Sequence, residues 1–307
     1  MKAKIIITGA SGFVGKNIVD YLGNQNVECL DRLQLQHLNS STLQNAAAVV
    51  HLAGKAHDIK NVGNPDDYYT VNFELTKELY NAFLQSDAKK FIFISSVKAV
   101  ADTVDGVLTE AIIPSPQTHY GKSKLMAEEY IIAQQLPANK FYYILRPSMI
   151  HGPGNKGNLN LLYQVVKRDI PYPFAAFQNK RTFLSVKNLC FVIKELIDQK
   201  EIPSGVYHIA DDESLSTTDV VRVLAQSMGK KPKLWKISKS LISSIARVGN
   251  WLRLPLNTER LYKLTGDYVV SNLKIMQALN VKLPVKAKEG LIETANSLSN
   301  PKKDNER

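Results

Sequence analysis

The sequence predicts an α/β protein built on a doubly wound parallel sheet. Two observations carry that expectation. Apolar runs of strand length alternate with helically spaced segments as far as residue 147, and the first run ends in three glycines spaced by three. Strands that read as continuous apolar runs, such as Phe91-Ile92-Phe93-Ile94, suit a parallel sheet covered on both faces. At 307 residues the chain can bury a large core, as one two-lobed protein or two modest domains.

The first unit runs from Lys4-Ile5-Ile6-Ile7-Thr8 into Gly9-Ala10-Ser11-Gly12-Phe13-Val14-Gly15, then into an apolar helical pattern. A strand, a tight turn and a helix start in that order place backbone N–H groups where a pyrophosphate can sit against the positive end of the helix. Gly9 can take a positive φ, Gly12 leaves room for phosphates, and Gly15 lets the helix approach the strand. Asp31 ends the second strand, 22 residues after Gly9. That is near the spacing of a carboxylate that accepts a ribose 2′-OH, although such a residue also serves as a turn or helix cap. Asp31 favours NAD, because its charge repels a 2′-phosphate. Arg32 beside it could accept that phosphate and keeps NADP open.

The remaining elements follow in order. A brief strand is expected near Leu35–Leu38, and a third clear strand at Ala48-Val49-Val50-His51-Leu52, ending in Ala53-Gly54. Residues 66–85 have helical spacing, with Asn72 in the middle where an unfavoured helix former implies a hydrogen-bonding task. Residues 89–96 form a central strand, with Ser95 and Ser96 at the carboxyl end where such sheets place ligands. A helix runs from Tyr120 to Ile132, and Phe141–Leu145 is a strand ending at Arg146-Pro147. Beyond residue 152 the pattern loosens: helices at 161–166, 189–197, 217–228 and 239–252, strands at 182–186 and 206–210, and a frayed polar tail from Ser299.

Composition excludes several classes. The net charge is +11, yet the basic residues form no long block and no zinc-finger or aromatic RNA-binding pattern, so nucleic acid is not the expected partner. Histidines and cysteines show no metal-ligand spacing, so no metal is expected. Cys29 and Cys190 sit in apolar runs and read as buried free thiols of a reducing compartment. No apolar stretch is long enough to span a membrane, and the cytoplasm is expected. Lys239–Arg253 is basic and amphipathic; it either packs on its own domain or lies on a membrane surface.

Tyr120 and Lys124 are four apart at a helix start and share a face. An ammonium beside a phenol favours the phenolate, and such a tyrosine can exchange a proton with a hydroxyl or carbonyl. Ser96 can hydrogen-bond the same oxygen. Ser96 lacks a nucleophile-elbow context, which argues against hydrolase chemistry.

Taken in order, the Gly9–Gly15 turn, His51-Leu52-Ala53-Gly54, Asn72, Ser95-Ser96, Tyr120-Gly121-Lys122-Ser123-Lys124 and Leu145-Arg146-Pro147 resemble the extended short-chain dehydrogenase/reductase superfamily, and its NAD-dependent nucleotide-sugar epimerase/dehydratase family. The resemblance covers about half the chain. It implies a Rossmann-like lobe for NAD(P), spanning 1–152 with segments near 181–211 returning to it. It also implies a smaller C-terminal substrate-binding lobe (153–180 and 212–298), followed by a flexible tail (299–307). By resemblance Tyr120 is the acid/base, Lys124 serves Tyr120 and the nicotinamide ribose, and Ser96 serves the reacting oxygen. Gly9, Ser11, Gly12, Phe13, Val14, Gly15, Asp31, Arg32, Leu52, Ala53, Gly54, Asn72 and Pro147 complete the cofactor set. Ile150-His151-Gly152-Pro153-Gly154 is similar to the "V-Y-G-P-G" of the epimerase branch, with histidine for tyrosine. Asn158 and Arg181 match residues that contact the sugar diphosphate, and a guanidinium suits that geometry.

The 4,6-dehydratases of the superfamily carry Asp-Glu after the catalytic Ser/Thr. Here Val97-Lys98 follows Ser96, which argues against dehydration. A 4-epimerase of a UDP-hexose or UDP-N-acetylhexosamine, or an NAD(P)H-dependent reductase of a UDP-4-keto-6-deoxy sugar, is what the resemblance leaves. A non-catalytic NAD(P)-sensing protein is a third reading, opposed by the intact Tyr120 and Lys124. The family often pairs through a four-helix contact, so a homodimer stays open.

Overall fold

The computed structural model describes residues 4–23, 26–56, 64–155, 157–252 and 256–299. The chain alternates strand and helix from its start: β1 (Lys4–Thr8), α1 (Phe13–Leu22), β2 (Val27–Leu30), α2 (Arg32–Gln36) and β3 (Ala46–His51). Then come α3 (Asp66–Tyr69), a π-helical turn (Thr70–Glu74), α4 (Leu75–Gln85), β4 (Lys90–Ile94), β5 (Val107–Leu108), α5 (His119–Ala133), β6 (Phe141–Pro147) and β7 (Met149–His151). The later part contains α6 (Asn158–Lys167), β8 (Arg181–Ser185), α7 (Val186–Asp198), β9 (Gly205–Ile209), β10 (Ser214–Leu215) and α8 (Thr217–Ser227). It closes with α9 (Lys239–Leu252), α10 (Thr258–Thr265), β11 (Val269–Val270), α11 (Leu273–Leu279) and α12 (Ala287–Ser299).

Six strands form one parallel sheet in the order β2-β1-β3-β4-β6-β9. The order reverses between β1 and β3, and the crevice beyond their carboxyl ends is where such sheets bind ligands. Both faces are buried, which explains the unbroken apolar runs. Ile5, Ile7, Val50, Ile92, Ile94, Tyr143 and Leu145 face α1, α7 and α11 on one side. Ile6, Val49, Phe91, Phe93 and Ile144 face α4 and α5 on the other. A separate cluster joins Leu159, Tyr163, Tyr172, Phe183, Leu215, Val220, Leu224, Leu291 and Ala295 around α6, α8 and α12. The small sheet β10-β8-β7 lies beside it.

Lys90 in β4 and Lys140 just ahead of β6 are buried for a specific purpose. Lys90 Nζ donates to the carbonyls of Leu196 and Ile197 (both 2.8 Å) and of Gln199, at the end of α7. Lys140 Nζ donates to the carbonyls of Phe83 and Ser86 (both 2.8 Å) and Ala88 (2.6 Å), at the end of α4. Each ammonium satisfies the orphan carbonyls of a helix C-terminus and meets its negative dipole end.

Two local expectations are corrected. Leu35–Leu38 is not a strand: Asp31 and Gln34 form a reciprocal capping box that starts α2, and Leu35 turns inward. Cys29 is exposed, not buried, because β2 is an edge strand; Cys190 is buried as expected. The tail beyond Ser299 lies outside the described residues. Among the described residues no helix is long and apolar enough to cross a membrane.

The carboxyl ends of β1 and β3 are pinned by a buried hydrogen-bond chain. Thr8 Oγ1 lies 2.7 Å from His51 Nδ1, His51 Nε2 lies 2.9 Å from Thr76 Oγ1, and the Thr76 hydroxyl donates to the Asn72 carbonyl at 2.8 Å. Thr8 Oγ1 also accepts the Ala53 N–H at 3.2 Å, so its proton goes to Nδ1 and the neutral Nε2–H tautomer of His51 fits. Burial, helped by the Lys124 charge, lowers the His51 pKa from 6.5 to about 3. The unfolded chain therefore binds the extra proton first. Stability is fully present above pH 6.5 and falls as pH drops from 6.5 toward 3, by up to about 5 kcal/mol. Urea unfolding across that range should show the loss; His51→Gln should flatten the slope and cost about 1–3 kcal/mol at pH 7.

Candidate active site

The glycine turn has the shape of a phosphate cradle. Gly9 adopts φ +71°, and a Cβ there would lie 2.6 Å from the Ala53 nitrogen. A Cβ on Gly15 would lie 2.2 Å from the Gly9 carbonyl oxygen, so only glycine lets α1 start this close to β1. Gly12 is the N-cap of α1; it supplies no side-chain cap, and the first turn carries no acid. Ser11 is exposed at the tip of the turn, Phe13 and Val14 are half-buried, and Leu52-Ala53-Gly54 follow β3 on the adjoining side. An uncapped helix N-terminus, framed by glycines, at the point where strand order reverses, fits the pyrophosphate of a dinucleotide.

Asp31 stands at the end of β2. Its Oδ1 accepts the Gln34 N–H at 2.8 Å, which makes it a helix cap and leaves Oδ2 for a further donor. Arg32 follows it, exposed at the first position of α2.

Asn72 sits in the π-helical turn, buried, with its amide fully used. Its Oδ1 accepts the Lys55 N–H at 2.8 Å; its Nδ2 donates to the Lys55 carbonyl and to Ser123 Oγ, both at 3.0 Å. It thereby clamps the loop after β3 to α5. A Cβ on Gly54 would meet Asn72 Oδ1 at 3.0 Å and Lys124 Nζ at 3.2 Å. Asn72 is thus a positioning residue for the loop that adjoins Lys124.

Helix α5 starts with Thr118 capping the Gly121 N–H at 3.2 Å. A Cβ on Gly121 would lie 2.4 Å from the Lys98 carbonyl oxygen, so the helix enters in direct contact with the short turn after β4. That contact brings the start of α5, with Tyr120, up to the turn that carries Ser96. Burial holds the Tyr120 phenol above its ordinary value, and the Ser96 hydroxyl only partly opposes this. The expected lowering by Lys124 is not what the resting geometry provides. Lys124 Nζ donates to the Ile94 carbonyl at 2.8 Å and stands over the Phe93 ring at 4.6 Å. Its own pKa falls to about 8 through burial, opposed by Glu128.

Glu128 continues the same face one turn further and was not singled out from the sequence; the i+4 spacing from Lys124 was the available signal. It is completely buried. Arg146 Nε donates to its oxygens at 3.1 and 3.0 Å and Nη2 donates at 2.5 Å, and the Ser95 hydroxyl donates to Oε1. Burial raises the Glu128 pKa; Arg146 opposes it. Pro147, next in β6, is buried at the carboxyl end of the sheet.

The substrate candidates divide. Arg181 opens β8, half-buried, and donates from Nη1 to the Lys263 carbonyl at 2.7 Å. Lys98 Nζ donates to the Asp102 carbonyl at 2.8 Å and stands 4.5 Å over the Tyr268 ring; the charges of Arg181 and Lys263 help lower its pKa after burial. Three cations thus gather where β8 meets the turn after Ser96. The side chain of Asn158 lies outside the described residues. His151 is buried, its Nδ1 2.9 Å from Thr294 Oγ1, and holds α12 against β7. Among the described residues no cluster of His, Cys, Asp and Glu could hold a metal.

Glu128→Ala would strand the buried Arg146 guanidinium. It should cost about 3–5 kcal/mol in urea unfolding, far more than an exposed ion pair such as Lys263–Glu259.

Comparison with known proteins identifies the family. The family model "NAD dependent epimerase/dehydratase family" matches residues 5–210. UDP-glucose 4-epimerase of Vibrio cholerae is 31% identical over 96% of this chain and 95% of its own. N-acetyl-alpha-D-glucosaminyl-diphospho-ditrans,octacis-undecaprenol 4-epimerase of Escherichia coli O157:H7 is 29% identical over 90% and 85%. UDP-glucuronic acid 4-epimerase from Bacillus cereus, solved in complex with NAD, shares the fold with a TM-score of 0.74 at 20% identity, covering 96% of this chain and 98% of that one. With the glycine cradle, the Ser96–Tyr120 pair and Lys124 in the positions described, the chain belongs to the NAD-dependent epimerase/dehydratase family of extended short-chain dehydrogenases/reductases.

Proposed function

We propose that the protein is an NAD-dependent 4-epimerase of a nucleotide sugar, a UDP-hexose or UDP-N-acetylhexosamine, working on the cytoplasmic side. The observation that carries the reading is the dinucleotide cradle together with the start of α5, which carries Tyr120, packed against the turn that follows Ser96, with no carboxylate in the two positions after that serine. Both curated relatives named above are 4-epimerases of a sugar carried on a diphosphate, by their names.

The Gly9–Gly15 turn and Asp31 would hold NAD, which when bound would supply a reversible hydride acceptor. The chain's own residues handle the proton and the position. Tyr120 Oη takes the proton from the C4 hydroxyl as that carbon is oxidised and returns it after the keto sugar has turned its other face. Ser96 Oγ holds the same oxygen in both directions. The phenol is raised at rest, so positive charge brought next to it on binding acts in the lowering direction. Arg181, Lys98 and Lys263 supply the positive field for a diphosphate, and Arg181 can present a planar fork to it. Val97 is buried and Lys98 is engaged with Asp102 and Tyr268, so neither provides the acid and base of a dehydration.

The second reading, an NAD(P)H-dependent 4-keto reductase, is favoured by one observation: Arg32 is exposed beside Asp31, whose Oδ1 is spent on the α2 cap. The two readings separate in one experiment. The purified protein should retain NAD by mass and convert UDP-N-acetylglucosamine or UDP-glucose to the C4 epimer, followed by NMR, with no added reductant. An inert, empty protein that turns over only with NADPH and a 4-keto sugar nucleotide would make it the reductase. Tyr120→Phe should lower turnover by at least about 100-fold and leave cofactor retention intact; unchanged turnover would sink the catalytic assignment.

A further inference from the structure

Helix α9 carries a wider apolar face than its own lobe covers. Ile242, Ala246 and Gly249 point inward at the spacing of one helix face. Ile242 and Ala246 pack with Leu261, Phe174, Phe177, Ile237 and Leu256, and a Cβ on Gly249 would lie 1.9 Å from the Leu256 carbonyl oxygen. This side is finished. Immediately next to it Leu241, Ile245, Val248 and Leu252 form a second stripe at the same spacing, and they are 54%, 47%, 51% and 51% exposed. Trp251 extends that stripe and is 84% exposed. Five large apolar side chains on one exposed helix face are not isolated surface residues; they make a contiguous patch.

The charge around the patch is one-sided. Residues 220–258 contain eight Lys or Arg and no Asp or Glu; Arg222 and Lys230 pair with Asp219 and Asp169 outside the segment. Lys231, Lys233 and Lys236 precede the helix and are exposed, and Lys239 and Arg247 lie on its polar face, also exposed. The nearest acid along the chain, Glu259 on α10, is paired with Lys263 at 2.6 Å. A second copy of this chain meeting the patch across a twofold axis would bring the acid-free segment against itself, which opposes self-association. An apolar stripe with tryptophan, flanked by cations without acids, matches an anionic lipid surface.

We infer that α9 docks the protein flat onto an anionic membrane surface, with Leu241, Ile245, Val248, Trp251 and Leu252 entering the headgroup boundary and the neighbouring lysines meeting lipid phosphates. The helix has 14 residues, too few to span a bilayer. The inference is independent of the reaction assigned to Tyr120, because α9 contributes nothing to that cluster. Docking would hold the enzyme at the surface without altering its chemistry.

The test is co-sedimentation of the full chain with vesicles of mixed phosphatidylglycerol and phosphatidylcholine, and with phosphatidylcholine alone, at low and high salt. The wild type should bind the mixed vesicles, bind phosphatidylcholine far less, and be released by salt. Trp251→Ser, at a side chain too exposed to affect folding, and Val248→Glu should each weaken partitioning by about tenfold or more. In a Trp235→Phe background Trp251 is the sole tryptophan, and its emission should shift to the blue on mixed vesicles. Absence of binding to mixed vesicles at low salt would overturn the inference. So would equal binding by the wild type and Trp251→Ser, or a solution dimer that Val248→Glu dissociates.

Discussion

The geometry of the candidate site depends on the buried pair of Glu128 and Arg146. One charge comes from α5 and the other from β6, and both are buried. Neither can move without stranding its partner, so the pair fixes how far along the sheet the helix sits and how it is rotated. Tyr120 and Lys124 lie on the same helix face, two turns and one turn before Glu128. Their positions are inherited from that anchor. The Ser95 hydroxyl joins the anchor from β4, so the strand that ends in Ser96 is registered against the same carboxylate. Gly121 then determines how closely the helix start approaches the turn that carries Ser96.

Much of this was legible in the sequence because it depends on local pattern. Strands buried on both faces betray themselves by unbroken apolar runs, and the glycine spacing reports a backbone crowded by its neighbours. Tyr120 and Lys124 were legible as a pair through helical spacing, and Ser96 through its place at a strand end. Asn72 was conspicuous as a poor helix former, and the π-helical turn around it is the structural counterpart of that anomaly.

What was not legible depends on partners distant in sequence. Leu35–Leu38 alternates like a strand, but Asp31 and Gln34 cap one another and commit the segment to a helix before alternation can matter. Cys29 lies in an apolar run, yet strand order puts it at an edge, and strand order is not written in the run itself. The phenol of Tyr120 illustrates the limit on the chemical side. Spacing says that Lys124 shares its face, but not that the ammonium reaches for the Ile94 carbonyl instead. Glu128 and Arg146 were likewise visible only as separate residues, because their meeting joins a helix to a strand across the sheet.

The two lysines that close the ends of α4 and α7 have a consequence of a different kind. Both enter from the first residues of strands or just before them, Lys90 in β4 and Lys140 ahead of β6, at the amino-terminal end of the sheet, opposite the cradle. The lysine rim therefore contributes stability alone, whereas at the opposite rim the His51 chain and the Glu128–Arg146 pair combine stability with the placing of the site. A change at the lysine rim would loosen the ends of α4 and α7 without touching a side chain of the cradle, whereas a change at the other rim reaches fold and site together.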